Sequence, residues 1–479
     1  MIQRRFFLGL AVATLLCLSG CLAGKGSVRH PDDLVFQPLQ FSFPKAEHFE
    51  TTNGIRVFFR EDRELPLVTV NAMVGGGSLA EPDAKVGLVD LFAAVMRSGG
   101  AGSYSPDALD DTLEMMGADL GVSTDTYATT LGLSCLSADL EKGLSILNDL
   151  LRRPRFAEDR LELARSKEIE SIRRRNDLPE SIAHRSLGRW LYQGHPLGRE
   201  STVASVSAVT RDDLVAFHQR HFLPNNLWLA VSGDVSLEEL KKLLGGVFGD
   251  WSRAQIAQTV IPPLPPEPAA VTLLSQKEVP QTTILMGCRG IEKTAPDLAA
   301  VQVMNFILGG GGFNSRLMRD IRSNRGLAYS VYSYFQIGRR LPGLFLLSTE
   351  TKSESTVEVV KLARENINRM RTAEVSEEEL RTAKESLINS FVFAFDDSHA
   401  VVAREMRLDF YDYPEDYLET YRNRIAAVTA ADVLAAAKDH LDPADLTIAL
   451  VGNESRFDSP PAALGLEIKP GLEEEKERR

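Results

Sequence analysis

Few side chains in this sequence combine the type and the spacing that chemistry requires. The stretch GLVDLFAAVMRSGG (Gly87–Gly100) puts Leu88, Leu91, Phe92, Val95 and Met96 on one broad apolar arc of a helix. Asp90, Ala93 and Ala94 share the opposite face, where a surface helix ordinarily carries long polar side chains. Asp90 and Glu170, the latter in RSKEIESIRRRND, offer carboxylate oxygens without an imidazole or thiolate, a poor zinc set. Of the eight histidines, only His218 and His221 stand three apart, a spacing two ligands of one metal can use. They end the helix DDLVAFHQRH, where a cation suits the C-terminal dipole, and that structural role is the reading adopted. No histidines form HxxEH or its inverse, and no CxxC occurs. Cys135 and Cys288 lie in apolar, strand-like runs and read as small core residues.

The second half of the chain carries a different pair. In IRSNRGLAYSV, Arg322 precedes Tyr329 by seven residues. A guanidinium and a phenol both donate hydrogen bonds, which is useful where a carbonyl oxygen gains charge. Taken locally, they read as a solvated charge at a helix end and a strand aromatic. Gly309, Gly310, Gly311 and Gly312 form a run with no Gly-Lys-Ser/Thr after it, so it does not read as a phosphate loop and a turn into NSRLMRDIR is expected.

The elements that must hold these residues come in two similar sets. IRVFFR and LVTVNAMVGG open the first; AVTLLSQ and QTTILMGC open the second. Two helical segments follow in each, then two strands, then long charged helices, and each set closes on a strand, NLWLAVSGD or DLTIALVGN. This internal repeat of segregated strands and helices predicts an α+β protein of two homologous domains, residues 45–258 and 270–456. Residues 259–269 contain IPPLPPEP, an extended proline linker, and residues 457–479 read as a charged tail.

The chain has 479 residues and a net charge of −12, so it lacks the electrostatic footprint of a nucleic-acid partner. Its start, MIQRRFFLGLAVATLLCLSGC, has the charge order and length of a secretory signal over residues 1–20. Leu18-Ser19-Gly20-Cys21 resembles the bacterial lipobox, which implies acylation of Cys21, a tether over residues 21–44 and a place in the envelope. Leu22 is not the aspartate of inner-membrane retention, so the outer membrane, facing the periplasm, is expected.

Together these segments resemble the M16 peptidase family, the insulinase and mitochondrial-processing-peptidase group, from about Glu47 to Asn453. The resemblance is carried by TTNGIRVFFRED, GGGSLAEPDAKVGLVD, HPLGRESTVASVSAVTRDDLVAFHQRHFLPNNLWLAVSGDV and LGGGGFNSRLMRDIRSNRGLAYSVYS. It implies paired domains, each an antiparallel sheet with helices on one face. In active members a helix carries HxxEH for zinc, and a later glutamate completes the shell. Here Asp90, Ala93 and Ala94 align with the two histidines and the glutamate, and Glu170 with the distal ligand, so this chain is expected to bind no metal and no cofactor. Arg322 and Tyr329 match the family's arginine–tyrosine pair, which orients substrate and stabilises the oxyanion. Gly309–Gly312 align with a shorter version of a substrate-contacting loop. The resemblance implies a non-catalytic subunit, anchored to the membrane by lipid, that lends Arg322 and Tyr329 to an HxxEH partner holding zinc, in a chamber for peptides. An envelope scaffold without proteolytic role is the alternative, and a stand-alone metallopeptidase the remote one.

Overall fold

Alternating apolar residues build the strands. In β3 (Leu67–Gly75) Val68, Val70, Ala72 and Val74 are fully enclosed, while Thr69 and Asn71 between them are half-buried. The computed structural model describes residues 41–256 and 259–472. The expected signal, tether and Cys21 fall outside those residues, apart from 41–44. In the first half, β1 (Glu47–Glu50), β2 (Arg56–Glu61), β3, β4 (Asp119–Thr124), β5 (Ala128–Leu136) and β6 (Leu227–Gly233) form one sheet in the order β1-β2-β6-β3-β5-β4. In the second, β7 (Val271–Gln276), β8 (Gln281–Arg289), β9 (Ala328–Gln336), β10 (Leu344–Lys352), β11 (Thr447–Gly452) and β12 (Glu467–Pro470) are ordered β12-β7-β11-β8-β10-β9. The repeat seen in the sequence is therefore a repeat of topology, with β4 and β9 at equivalent edges.

The α+β architecture is the one expected, but three of its details differ. The sheets are mixed and not wholly antiparallel. After a helical excursion a late strand of each half inserts beside that half's early strand, so β6 runs parallel to β2 and β11 parallel to β7. A parallel pair needs such a crossover, and the intervening helices provide it.

Nor are helices confined to one face. Helix Pro179–Leu191 of the first half lies across the second sheet, packing Ile182, Ala183, Leu187 and Leu191 against Leu273, Leu285, Leu346, Ala449 and Val451. In return, helix Ser398–Phe410 of the second half covers the first sheet, setting Val402, Met406 and Phe410 on Phe58, Met73 and Ala230. Polar pins hold its ends: Ser398 donates to Asp62 (2.6 Å), and Asp409 accepts from Arg56 (2.8 Å) and from the Trp228 indole (2.6 Å). An apolar second face cannot stay wet, and burying a large aliphatic side chain there contributes roughly 1.5–3 kcal/mol. The described residues from Phe43 onward form one compact unit as a result.

The charged tail is the third correction. Leu464 is buried, β12 pairs with β7, and the Leu472 amide donates to Ser186 (3.1 Å). A leucine and a strand with an available edge outweigh the flanking charges. Residues 473–479 lie outside the described ones.

Candidate functional site

Helix Leu88–Ser98 begins at Gly87, whose φ of 99° is left-handed and which offers no side chain for a cap. Glu81 does the capping from outside the helix. Its Oε1 accepts from the amides of Gly87 (3.2 Å) and Val89 (2.8 Å), satisfying two of the donors a helix start leaves free. The apolar arc read from the sequence is buried as expected: Leu88, Leu91, Phe92, Val95 and Met96 all lie in the first core. Asp90 and Ala94 are exposed and Ala93 is half-buried, so this face looks into open space rather than into packing.

Three carboxylates gather around that face. Glu81 is only 7% exposed, and burial pushes its carboxyl up to about 7, with neighbouring Asp90 adding to the rise. Asp90 is reached by solvent on one side, yet enclosure by the protein raises it as well. Glu168 is raised by burial and then by Asp90, while the Ser201 hydroxyl at 3.4 Å opposes the shift. Glu170 takes no part. It lies in ion pairs with Arg174 (2.7 Å) and Arg173 (3.9 Å) on the exposed side of helix Glu158–Arg174. Two helical residues turn the side chain by about 200°, so Glu168, not Glu170, is the carboxylate that faces Asp90. A zinc ion would find carboxylates and methyl groups here, without a nitrogen or sulfur ligand. The residues present do not fit it. Among the described residues no group of three or more His, Cys, Asp or Glu stands ready for a metal.

His218 and His221 are buried, and burial lowers both rings to about 4. They are neutral, so the expected cation at a helix end is replaced by ring packing. His218 stacks on Phe222 at 4.9 Å and its Nε2 bonds the Leu151 carbonyl (2.9 Å), while His221 leans on Phe217 at 4.6 Å. Cys135 and Cys288 are buried free thiols, as expected of core residues.

Arg322 and Tyr329 are brought together. Arg322 stands in Met318–Ser323, a π-helical turn, and a second such turn, Phe306–Gly310, leads into the glycines. These rare turns often mark functional segments. The Arg322 guanidinium lies 4.8 Å from the Tyr329 ring centre and 4.6 Å from that of Phe313. Among the described residues it has no carboxylate partner, and its two aromatic supports are open to solvent, Tyr329 at 82% and Phe313 at 67%. Phe313, Glu81 and Glu168 are the residues that sequence reasoning missed. Phe313 directly follows the glycines and was visible there as an exposed aromatic after a turn. Glu81 caps a helix from a loop, for which local pattern carries no sign.

Most of the glycine run is explained by close packing. A Cβ on Gly309 would stand 2.4 Å from Ser333 Oγ, one on Gly310 2.7 Å from Asn305 Nδ2, and one on Gly311 2.7 Å from Phe306. Gly312 alone meets open space, at φ 56°. No hydrogen bond, ion pair or ring contact among the described residues joins the Asp90 group to Arg322 and Tyr329.

Residues 56–204 match the model described as insulinase (peptidase family M16), and residues 208–387 match the peptidase M16 inactive domain. The chain belongs to the M16 peptidase family. Among M16 relatives, the non-peptidase homolog YmxG of Helicobacter pylori is 26% identical over 434 residues, which cover 88% of this chain and 97% of that one. An uncharacterized zinc protease of Mycobacterium leprae is 28% identical over 407 residues, covering 81% and 88%. The solved peptidase M16 inactive domain from Pseudomonas fluorescens superposes with a TM-score of 0.77 at 28% identity, over 85% of this chain and 98% of that one. With alanines where a water-activating glutamate and a ligand would be needed, this chain is a non-catalytic M16 member.

Proposed function

We propose that this chain is the zinc-less subunit of a two-chain M16 peptidase of the bacterial envelope, held to the outer membrane through a lipid on Cys21. Its partner supplies HxxEH and zinc, and this chain supplies Arg322 and Tyr329 to a shared chamber for peptides. The observation that carries the reading is an arginine stacked on an open tyrosine, with no carboxylate partner among the described residues, in a chain whose helix Leu88–Ser98 carries Asp90, Ala93 and Ala94 where HxxEH would stand. Donors kept free in this way suit a developing oxyanion supplied from outside the chain. Coexpression with an HxxEH-bearing M16 chain tests it. Copurification and peptide hydrolysis by the pair, lost in Arg322→Ala, support the reading. Stable homo-oligomers with no affinity for any such chain support the scaffold alternative instead.

A further inference from the structure

A cavity of about 400 Å³ opens where the two halves meet, and none of Glu81, Asp90, Glu168, Arg322 or Tyr329 lines it. Its walls are the glycine turn after β3 (Gly75–Gly77), Tyr127 and Trp228 from the first half, and Arg340 and Phe410 from the second. Arg340 has no carboxylate partner among the described residues. It donates to the Phe410 carbonyl (3.1 Å), and its guanidinium rests 5.3 Å from the Phe410 ring and 6.0 Å from that of Tyr127. Asp125, at the same junction, is already taken: it pairs with Arg339 (3.4 Å) and accepts from the Tyr411 hydroxyl (3.2 Å). His221, on the cavity wall, is 2% exposed and has its Nε2 without a partner, so a polar atom there has unmet hydrogen-bonding capacity.

We propose that this cavity binds an apolar ligand ending in a carboxylate, with Arg340 gripping the carboxylate and Tyr127, Trp228 and Phe410 enclosing the apolar part. A guanidinium presents parallel donors to the two oxygens of a carboxylate, and aromatic walls favour a hydrophobic side chain. The inference is independent of the proposed subunit role, since it requires neither a second chain nor zinc. A peptide C-terminus and a free small acid share this chemistry.

Titration calorimetry on the full chain decides it, with N-acetyl-phenylalanine, its amide, and Ala-Ala-Ala-Phe as probes. The acid is expected to saturate in roughly the millimolar range for a ligand of this size, and the amide to bind about tenfold more weakly. Arg340→Gln should weaken the acid about tenfold and leave the amide unchanged. Because Arg340 also touches the junction, Ile261→Trp is a second variant, which narrows the cavity while keeping the guanidinium and should abolish binding. Tighter binding of the tetrapeptide would assign the ligand to peptide C-termini, and weaker binding to small acids; both agree with the proposal. Equal affinity for acid and amide, no saturation by the acid at tens of millimolar, or acid binding undisturbed by Ile261→Trp would overturn it.

Discussion

The Arg322 guanidinium sits 4.8 Å from the centre of the Tyr329 ring, and the phenol edge beyond it is almost wholly in solvent. The ring holds the arginine by its face, so stacking does not use the hydroxyl. Tyr329→Phe therefore separates positioning from chemistry. In a complex with an HxxEH chain, this variant should lower kcat/KM by about 10²–10³-fold, the usual effect of losing one oxyanion donor. Melting of the isolated chain should stay within about 1 °C, because an exposed hydroxyl contributes little to stability. An unchanged kcat/KM would remove the phenol from the proposed chemistry.

Glu168 and Glu170 can be told apart by returning the ligands. Asp90→His, Ala93→Glu and Ala94→His together rebuild HxxEH on helix Leu88–Ser98. If Glu168 faces the site, this triple variant should bind zinc, and adding Glu168→Gln should weaken it by about tenfold or more, while adding Glu170→Gln should change nothing. Zinc affinity by competition with a chromogenic chelator is the measurement. Equal losses from both glutamates would place the distal position elsewhere.

The two-residue offset between Glu170, the sequence candidate, and Glu168, the carboxylate beside Asp90, shows where sequence reasoning reaches its limit. Counting along the chain from Ala94 locates a helix but not its rotation, and a glutamate two places away points to the opposite side. The apolar arc from Leu88 to Met96 was legible because all its members belong to one element with one period. Arg322 and Tyr329 stood out only through the family resemblance, since locally they read as a helix-end charge and a strand aromatic. Glu81 reaches its helix across a loop, and Phe313 supports Arg322 from beyond a π-helical turn, so neither contact has a period to read. The exchange of helices Pro179–Leu191 and Ser398–Phe410 was hidden for the same reason: each pairs with a sheet whose sequence lies on the other side of the proline linker.

The glycine run offers a steric test. At Gly309 an added methyl would press on Ser333 of β9, including its backbone nitrogen at 2.5 Å. Gly309→Ala must move that strand and should cost about 1–3 kcal/mol. Gly312 meets no neighbour, and its φ of 56° is the only obstacle, so Gly312→Ala should cost about 1 kcal/mol. Denaturant midpoints of the two variants check the order. A larger loss at Gly312 would mean that the loop packs more tightly than its open surroundings imply.

Glu81 links the vacated face to pH. Its carboxyl stands near 7 in the folded chain against 4.5 for the free side chain, mainly through burial and partly through Asp90. Between those values the folded state keeps a proton that the unfolded state has released, so stability is lost as pH rises through the window. The full effect is on the order of 3 kcal/mol at pH 8. Glu81→Gln retains an oxygen to accept from the Gly87 and Val89 amides and cannot ionise. This variant should match the parent near pH 4.5 and melt several degrees higher at pH 8. Asp90→Asn removes a like charge and should shift the window to lower pH without abolishing it. Scanning calorimetry across pH 4–8 reads both effects. If Glu81→Gln were less stable than the parent at pH 8, the carboxylate's bonds to the helix start would outweigh its burial, and Glu81 would be a favourable anionic cap at every pH.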